Sequence, residues 1–182
     1  MLKKIAIGIL AYNEESHIEN VLSEILTLKK DVYVLNDSST DKTMKILEKM
    51  NISKNFTIIN NLKNEGAGNS TLKLIETIKN DGFDFVIKVD GDNQFKLEDI
   101  NKIIKLHEDN DYDFIKSNRF WERGIEGKIP RRRYFGNLFA TIMLQFISGT
   151  NKLYDPLNGL FGINVKVLNF INKKVYPKRY GY

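Results

Sequence analysis

Hydrophobic positions along the first two thirds of the chain repeat in a fixed order: a short apolar run, a polar cluster, then apolar residues three and four apart. Residues 5–10 form the first run, and Ser16 precedes a helical pattern through Ile18, Val21, Leu22, Ile25 and Leu26. This spacing predicts strand, loop and helix. The unit returns in residues 32–36, the loop DSSTD and a helix carrying Met44, Ile46, Leu47 and Met50. It returns again in residues 56–60, the loop NLKNEGAG and a helix with Leu72, Leu74, Ile75 and Ile78. A fourth strand over 83–89 leads through DGDNQ to a helix with Ile100, Ile103 and Ile104, and a strand over 112–116 follows.

Strands alternating with helices of this length imply an α/β fold, with a mostly parallel, Rossmann-like sheet and helices on both faces. Sheets of this kind bind ligands beyond the carboxyl ends of their strands, where the strand order reverses. Every polar cluster named so far falls at that end. The pattern changes after Asn118: a glycine-containing loop and Pro130 lead into a helix that is apolar at 135, 138, 139, 142 and 146, widened by Met143, Leu144 and Ile147. It is too short for the roughly 20 apolar residues of a membrane span. It packs into the core, lies at an interface, or does both.

A length of 182 residues predicts one domain. Apolar residues at 42% and charged residues at 28% are ordinary globular usage and exclude disordered and fibrous classes. The chain has no cysteine, which excludes disulfides and thiolate metal sites, and its two histidines cannot build a histidine-rich zinc site. His17 and His107 both fall in predicted helices away from the site end, and neither is assigned a role. The net charge of +5 is concentrated late, at Arg131, Arg132 and Arg133, at Lys173 and Lys174, and at Lys178 and Arg179. That asymmetry suits an anionic partner; a solvated basic surface is the plainer reading of any single run. The basic start is followed by a short apolar run without a small-residue cleavage site, so a cytoplasmic location is expected.

The stretch VDGDNQF closes the fourth strand with Asp90 and Asp92 on either side of Gly91. Two carboxylates so spaced can converge on one cation while the glycine lets the backbone turn. Hard divalent ions take oxygen ligands, and Mg²⁺ commonly uses one or two carboxylates together with substrate phosphates. Asp90 and Asp92 are therefore candidate ligands for Mg²⁺ or Mn²⁺, with Gln94 as a further polar contact. A turn cluster would use the same residue types without any metal. Asp37 closes the second strand, where a carboxylate can accept bonds from a ribose or a base, while Thr40 or Asp41 caps the next helix. Gly66 and Gly68 allow close backbone approach and amides at a helix start, an arrangement that suits an anion; a plain tight turn is the alternative.

AYNEE (11–15), LNDSSTDKT (35–43), NEGAGNST (64–71) and DGDNQ (90–94), in this order, resemble the inverting nucleotide-sugar glycosyltransferases of family 2, whose fold is called GT-A. SNRF (117–120), the arginines at 131–133 and DPLNGLFG (155–162) are similar to the branch that includes dolichol-phosphate mannose synthase and polyprenyl-phosphate sugar transferases. The resemblance implies a nucleotide-binding part over about residues 1–118 and an acceptor-side part over about 119–182, with relatives continuing past the final RYGY. It further implies that Ala11, Tyr12, Asn13, Glu14, Asp37, Asn64, Gly66, Gly68, Asp90 and Gly91 line the nucleotide pocket. Asp90 and Asp92 match the metal-binding DxD motif, and Gln94 matches its following glutamine. Arg119 and one of Arg131, Arg132 or Arg133, of which Arg132 is the choice, match arginines that hold phosphate groups. Asp155 matches an acid on the acceptor side. Leu10 stands where the family often has proline, Asn36 replaces the first acid of a paired-acid signature, and Asn158 replaces a common serine.

The expected activity is metal-dependent transfer of a hexose from a nucleoside-diphosphate sugar to a polyprenyl phosphate or a cell-envelope glycan precursor, with Asp155, Arg119 and Arg132 as catalytic candidates. Peripheral contact with the inner face of the cell membrane fits a lipid acceptor. A truncated, non-catalytic nucleotide-sugar-binding domain is the alternative. A dehydrogenase would need a GxGxxG turn where this chain has AYNEES, and the acidic set Asp37, Asp90 and Asp92 would repel a nucleic acid in the absence of metal. Trp121 either stacks on a sugar or fills core.

Overall fold

The computed structural model describes residues 3–118, 131–149, 154–155 and 158–171. Its strands are β1 (Ile5–Ala11), β2 (Asp31–Asn36), β3 (Thr57–Asn60), β4 (Phe85–Asp90), β5 (Phe114–Lys116) and β6 (Phe161–Asn164). The helices are α1 (Ile18–Ile25), α2 (Thr43–Asn51), α3 (Ala67–Asn80), α4 (Leu97–Asn110) and α5 (Arg131–Ser148). The strands form one sheet in the order β3-β2-β1-β4-β6-β5. β1, β2, β3 and β4 run parallel, whereas β6 is antiparallel to both β4 and β5.

The alternation along each strand explains the two layers of helices. In β1, Ile5, Ile7, Ile9 and Ala11 join a core with Ile18, Val21, Leu22 and Ile25 of α1, Leu47 of α2 and Ile100 and Ile103 of α4. Ala6 and Leu10 belong to the opposite core, built with Leu72, Leu74, Ile75 and Ile78 of α3 and Leu168 from the turn after β6. Strand positions buried on both faces read as continuous apolar runs, which is why these segments were legible.

Three departures matter for the site. The fourth strand begins at Phe85 and ends on Asp90 itself, so the first carboxylate is the last ladder residue and not a loop residue. β6 was not expected as a strand, because FGIN is short and glycine-containing. Tertiary pairing makes it one: it fills the gap between β4 and β5, with Ile87 and Ile115 both opposite Gly162. Finally, α5 turns its polar side inward. Asn137 and Thr141, one turn apart, are buried, while Phe135, Leu138, Phe139, Ile142, Phe146 and Ile147 are exposed. Of the readings open for this helix, the described residues exclude burial of its apolar face in the core.

His107 is a core residue of α4, fully buried and stacked on Phe85 with ring centroids 3.7 Å apart and planes at 13°. The Tyr112 carbonyl is an acceptor only, so Nδ1–H donates to it at 3.1 Å, and Nε2 has no partner. Burial lowers the imidazole pKa; the bond to the Tyr112 carbonyl opposes this, Lys3 reinforces it, and Asp111 and Glu108 oppose it. The unfolded chain takes a proton at this residue near the ordinary value of about 6.5, whereas the folded chain resists it. Stability is therefore level above that pH and falls as pH drops below it, by at most about 1.4 kcal/mol per pH unit. Urea titrations between pH 7.5 and 5 are expected to show this slope, and His107→Phe is expected to flatten it; an unchanged slope in the variant would assign it to other groups.

Candidate active site

The chain leaves β1 for β2 and β3 on one side and returns to β4 on the other, so strand order reverses between β1 and β4. Crevices at such points, beyond the carboxyl ends, are where open α/β sheets bind ligands. Leu10 lies opposite Asp90, and the Gly91 amide donates to the Leu10 carbonyl at 2.9 Å, which carries the pairing one residue past the strand. Ala11 ends β1, Tyr12, Asn13 and Glu14 follow it, and Ala11 and Glu14 lie beside Gly91. Asn13, Ser38, Asn93 and Asp155 all have φ between 47° and 61°, a left-handed conformation uncommon for residues other than glycine. All lie in loops at this end, and strain of this kind gathers at functional sites.

Cross-links between the loops hold them in place. The Asn13 amide donates to Ser39 Oγ at 3.0 Å, the Thr40 amide to Asn13 Oδ1 at 2.8 Å, and the Glu14 amide to Thr43 Oγ1 at 2.8 Å. Asp41 Oδ1 accepts from the Thr43 amide at 2.9 Å, so Asp41 is the residue that tethers the start of α2. Asp37 is buried, and both of its oxygens accept bonds. Oδ1 takes Asn61 Nδ2 at 2.7 Å and the Glu65 amide at 2.9 Å, and Oδ2 takes the Gly66 amide at 3.0 Å. The anion at the start of α3 is thus the chain's own carboxylate, and Gly66, at φ 84°, supplies the turn that aims its amide there. Gly68 is buried within α3, and Asn64 is exposed on the preceding loop.

Asn61, Ser70, Lys73 and Asn36 complete a polar network that sequence reasoning missed. Asn61 donates to Ser70 Oγ at 2.9 Å and accepts from Lys73 Nζ at 2.6 Å; Asn36 donates to Asn60 Oδ1 at 2.6 Å and accepts from Ser39 Oγ at 2.5 Å. Asn36 both donates and accepts here, which a carboxylate could not. Polar residues at the ends of apolar runs were the available signal.

Asp90 and Asp92 share the crevice with Glu14. Burial raises the Asp92 pKa first, the Asp90 charge raises it further, and the Gln94 amide, donating to Oδ1 at 3.1 Å, opposes both. Glu14 is raised chiefly by burial; its hydrogen bond with His17 opposes that, and Asp92 and Asp90 add to it. Three carboxylates therefore feel one another at one strand end. His17, expected to lie away from the site, precedes α1 at this same end, with Nδ1 3.0 Å from Glu14 Oε2. The helical periodicity that hid it begins one residue later. Lys88, fully buried on β4, forms an ion pair with Asp90.

On the far side, Asp155 is buried and accepts from Asn137 Nδ2 at 3.0 Å, while the Thr141 hydroxyl donates to the Asn137 carbonyl at 2.8 Å. Asn158 donates from Nδ2 to the Ser117 carbonyl at 2.9 Å, and its own carbonyl accepts from Lys116 Nζ at 2.7 Å. Gly159 sits against Asp90: a Cβ built there would lie 1.6 Å from Asp90 Oδ2. The segment leading into β6 thereby packs its backbone against Asp90. Arg119 and Trp121 lie outside the described residues, as do the side chains of Arg131, Arg132 and Arg133.

A family model described as Glycosyl transferase family 2 matches residues 6–171. The chain belongs to glycosyl transferase family 2. Among its relatives is an uncharacterized protein of Methanocaldococcus jannaschii, 34% identical over 136 residues that make up 73% of this chain and 57% of that protein. The UDP-N-acetylglucosamine–dolichyl-phosphate N-acetylglucosaminyltransferase of Methanococcus voltae is 24% identical over 98% of this chain and 76% of its own length. The fold of this family 2 chain matches that of Mycobacterium tuberculosis glucosyl-3-phosphoglycerate synthase, crystallised with Mn²⁺ and UDP-glucose, with a TM-score of 0.72 at 18% identity. That alignment covers 98% of this chain and 61% of the mycobacterial one. The GT-A architecture expected from the motifs is thus the architecture found.

Proposed function

We propose that the chain transfers a sugar, with inversion, from a nucleoside-diphosphate sugar to a polyprenyl phosphate or a cell-envelope glycan precursor. The observation that carries this reading is the convergence of Asp90, Asp92 and Glu14 at the β1–β4 switch point of a family 2 fold. The paired carboxylates are hard oxygen donors at the end of a rigid strand, and this donor set fits a hard divalent ion. Asp90 and Asp92 would hold Mg²⁺ or Mn²⁺, with Gln94 beside them, and such an ion supplies Lewis-acid compensation of charge on a leaving diphosphate.

The remaining work falls to the chain's own groups. The loops after β1 and β2, tied together through Asn13, Ser39 and Thr40, present a pre-formed wall to the nucleotide. The Asp37 network keeps the 64–66 loop in one place beside it. Asn137 orients Asp155, which takes the proton from a hydroxyl acceptor or, for a lipid phosphate that is already anionic, only positions it. Arg119 and Arg132 supply fixed positive charge to phosphate groups. The exposed apolar residues of α5 suit the lipid-phosphate acceptor and a peripheral seat on a membrane surface, as does the M. voltae relative that acts on dolichyl phosphate. No described helix is long and apolar enough to cross a membrane.

A screen of nucleotide sugars with Mn²⁺, read as thermal stabilisation and then as transfer to polyprenyl phosphate, tests the proposal. At least one donor is expected to stabilise the chain and to be consumed; binding without turnover on any acceptor would overturn the enzymatic reading. In the same assay Asp155→Asn distinguishes the acceptors. A hydroxyl acceptor predicts a loss in kcat of about 100-fold or more, whereas a lipid phosphate predicts a higher KM with kcat retained.

A further inference from the structure

Lys88 is 0% exposed and stands on β4 between Gly8 of β1 and Phe161 of β6. An ammonium taken from water at that depth needs a charged partner, and it has one in Asp90, two residues along and on the same face of the strand. Lys88 pairs with Asp90 Oδ1, and the Gly159 backbone, which leaves no room for a Cβ, lies against Oδ2. A plain core strand would carry an apolar residue at 88, as Val86 is, and would bury no charge. Among the described residues no group of three or more carboxylates and histidines is arranged to hold a metal ion. Asp90 and Asp92 therefore meet a divalent cation with Lys88 paired to the first of them and with Glu14 in the same crevice.

We propose that Lys88 is a positioning residue for the metal clamp: it fixes Asp90 against Gly159 and offsets its charge, so that a divalent cation is held firmly only together with a diphosphate. The inference rests on the sugar-nucleotide reading above and adds to it a residue and a dependence of metal binding on the nucleotide. A diphosphate would bring oxygens and charge to the clamp, so Asp90 and Asp92, with Lys88 against the first, would hold the ion most firmly when the nucleotide is present. With the ammonium gone, the two carboxylates face the ion uncompensated, and the metal binds without waiting for the nucleotide.

The test uses the intact chain and the electron paramagnetic resonance signal of free Mn²⁺, titrated alone, with UDP and with GDP. The wild type is expected to bind Mn²⁺ weakly alone and at least about tenfold more tightly with the nucleotide it accepts. Lys88→Met is expected to tighten Mn²⁺ alone by about tenfold and to shrink the gain from nucleotide. Lys88→Gln, which keeps a donor for Asp90 without the charge, carries the same expectation if the Met variant does not fold. A lysine serving only the fold would loosen the site on removal and never tighten it. Unchanged or weaker binding of Mn²⁺ alone in the folded variant, or equal affinity for Mn²⁺ with and without a nucleotide that itself binds the wild type, would overturn the assignment. Failure of both nucleotides to bind the wild type would instead overturn the proposed function, because the metal-alone comparison of wild type and variant reads Lys88 independently.

Discussion

Asp92→Ala is expected to lower Mn²⁺-dependent affinity for the nucleoside diphosphate by about 100-fold while leaving the metal-free protein as stable as the wild type within about 1 kcal/mol. The two halves of this expectation have one cause. Asp92 lies past the end of β4, makes no ladder bond, and has its pKa raised by burial and by the Asp90 charge, so in the metal-free protein it is a carboxylate held beside another. Its removal relieves that repulsion and gives up one bond from the Gln94 amide at 3.1 Å. Such terms roughly cancel in stability, whereas the proposed metal clamp would lose one of its two paired carboxylates. Calorimetric titration of UDP and GDP with and without Mn²⁺ measures the first half, and a thermal melt in chelator measures the second. Unaltered nucleotide titration would remove Asp92 from the metal site.

Gly159→Ala is expected to be the more damaging change. The added methyl would lie 1.6 Å from Asp90 Oδ2, far inside contact distance, and the backbone of Leu160 just beyond is anchored by Asn158 Oδ1 at 3.1 Å. Asp90 must give way, and with it a charged partner of a fully buried ammonium. Breaking an ion pair from one side costs up to about 3–5 kcal/mol when both partners are buried and less where one, like Asp90, is partly exposed, still a sizeable share of the 5–15 kcal/mol that holds a typical domain together. The variant is therefore expected to lose metal-dependent nucleotide binding as completely as Asp92→Ala and, unlike it, to melt many degrees lower without any ligand. A variant with wild-type melting and wild-type nucleotide affinity would mean that the segment before β6 moves freely from Asp90. The contrast between the two substitutions separates a residue that serves the ligand from one that serves both ligand and fold.

The repeating strand-helix order and the buried strand ends were legible because they depend on local periodicity, and local periodicity is written residue by residue. The same holds for the crevice acids: Asp90 and Asp92 stand where an apolar run stops, and carboxylates so placed declare themselves without knowledge of neighbours. Asp37 was legible as a site-end acid but not as the cap of α3, since its partners Asn61, Glu65 and Gly66 arrive from another loop. His17 was hidden one residue before a helix that looked like core.

What the amino-acid order determined by itself is therefore the parallel α/β scaffold and the residues waiting at its carboxyl end, because each follows from the period of its own segment. Only the tertiary structure decided that FGIN becomes an antiparallel strand between β4 and β5, that α5 faces Asp155 with its polar side, and that Lys88 and Gly159 both close on Asp90. Those outcomes turn on pairings between residues far apart in the chain, where a buried charge must find its partner and a missing Cβ gains its meaning from the atom that fills the space. VDGDNQF announced two carboxylates; the fold supplied the ammonium and the glycine that close on the first of them.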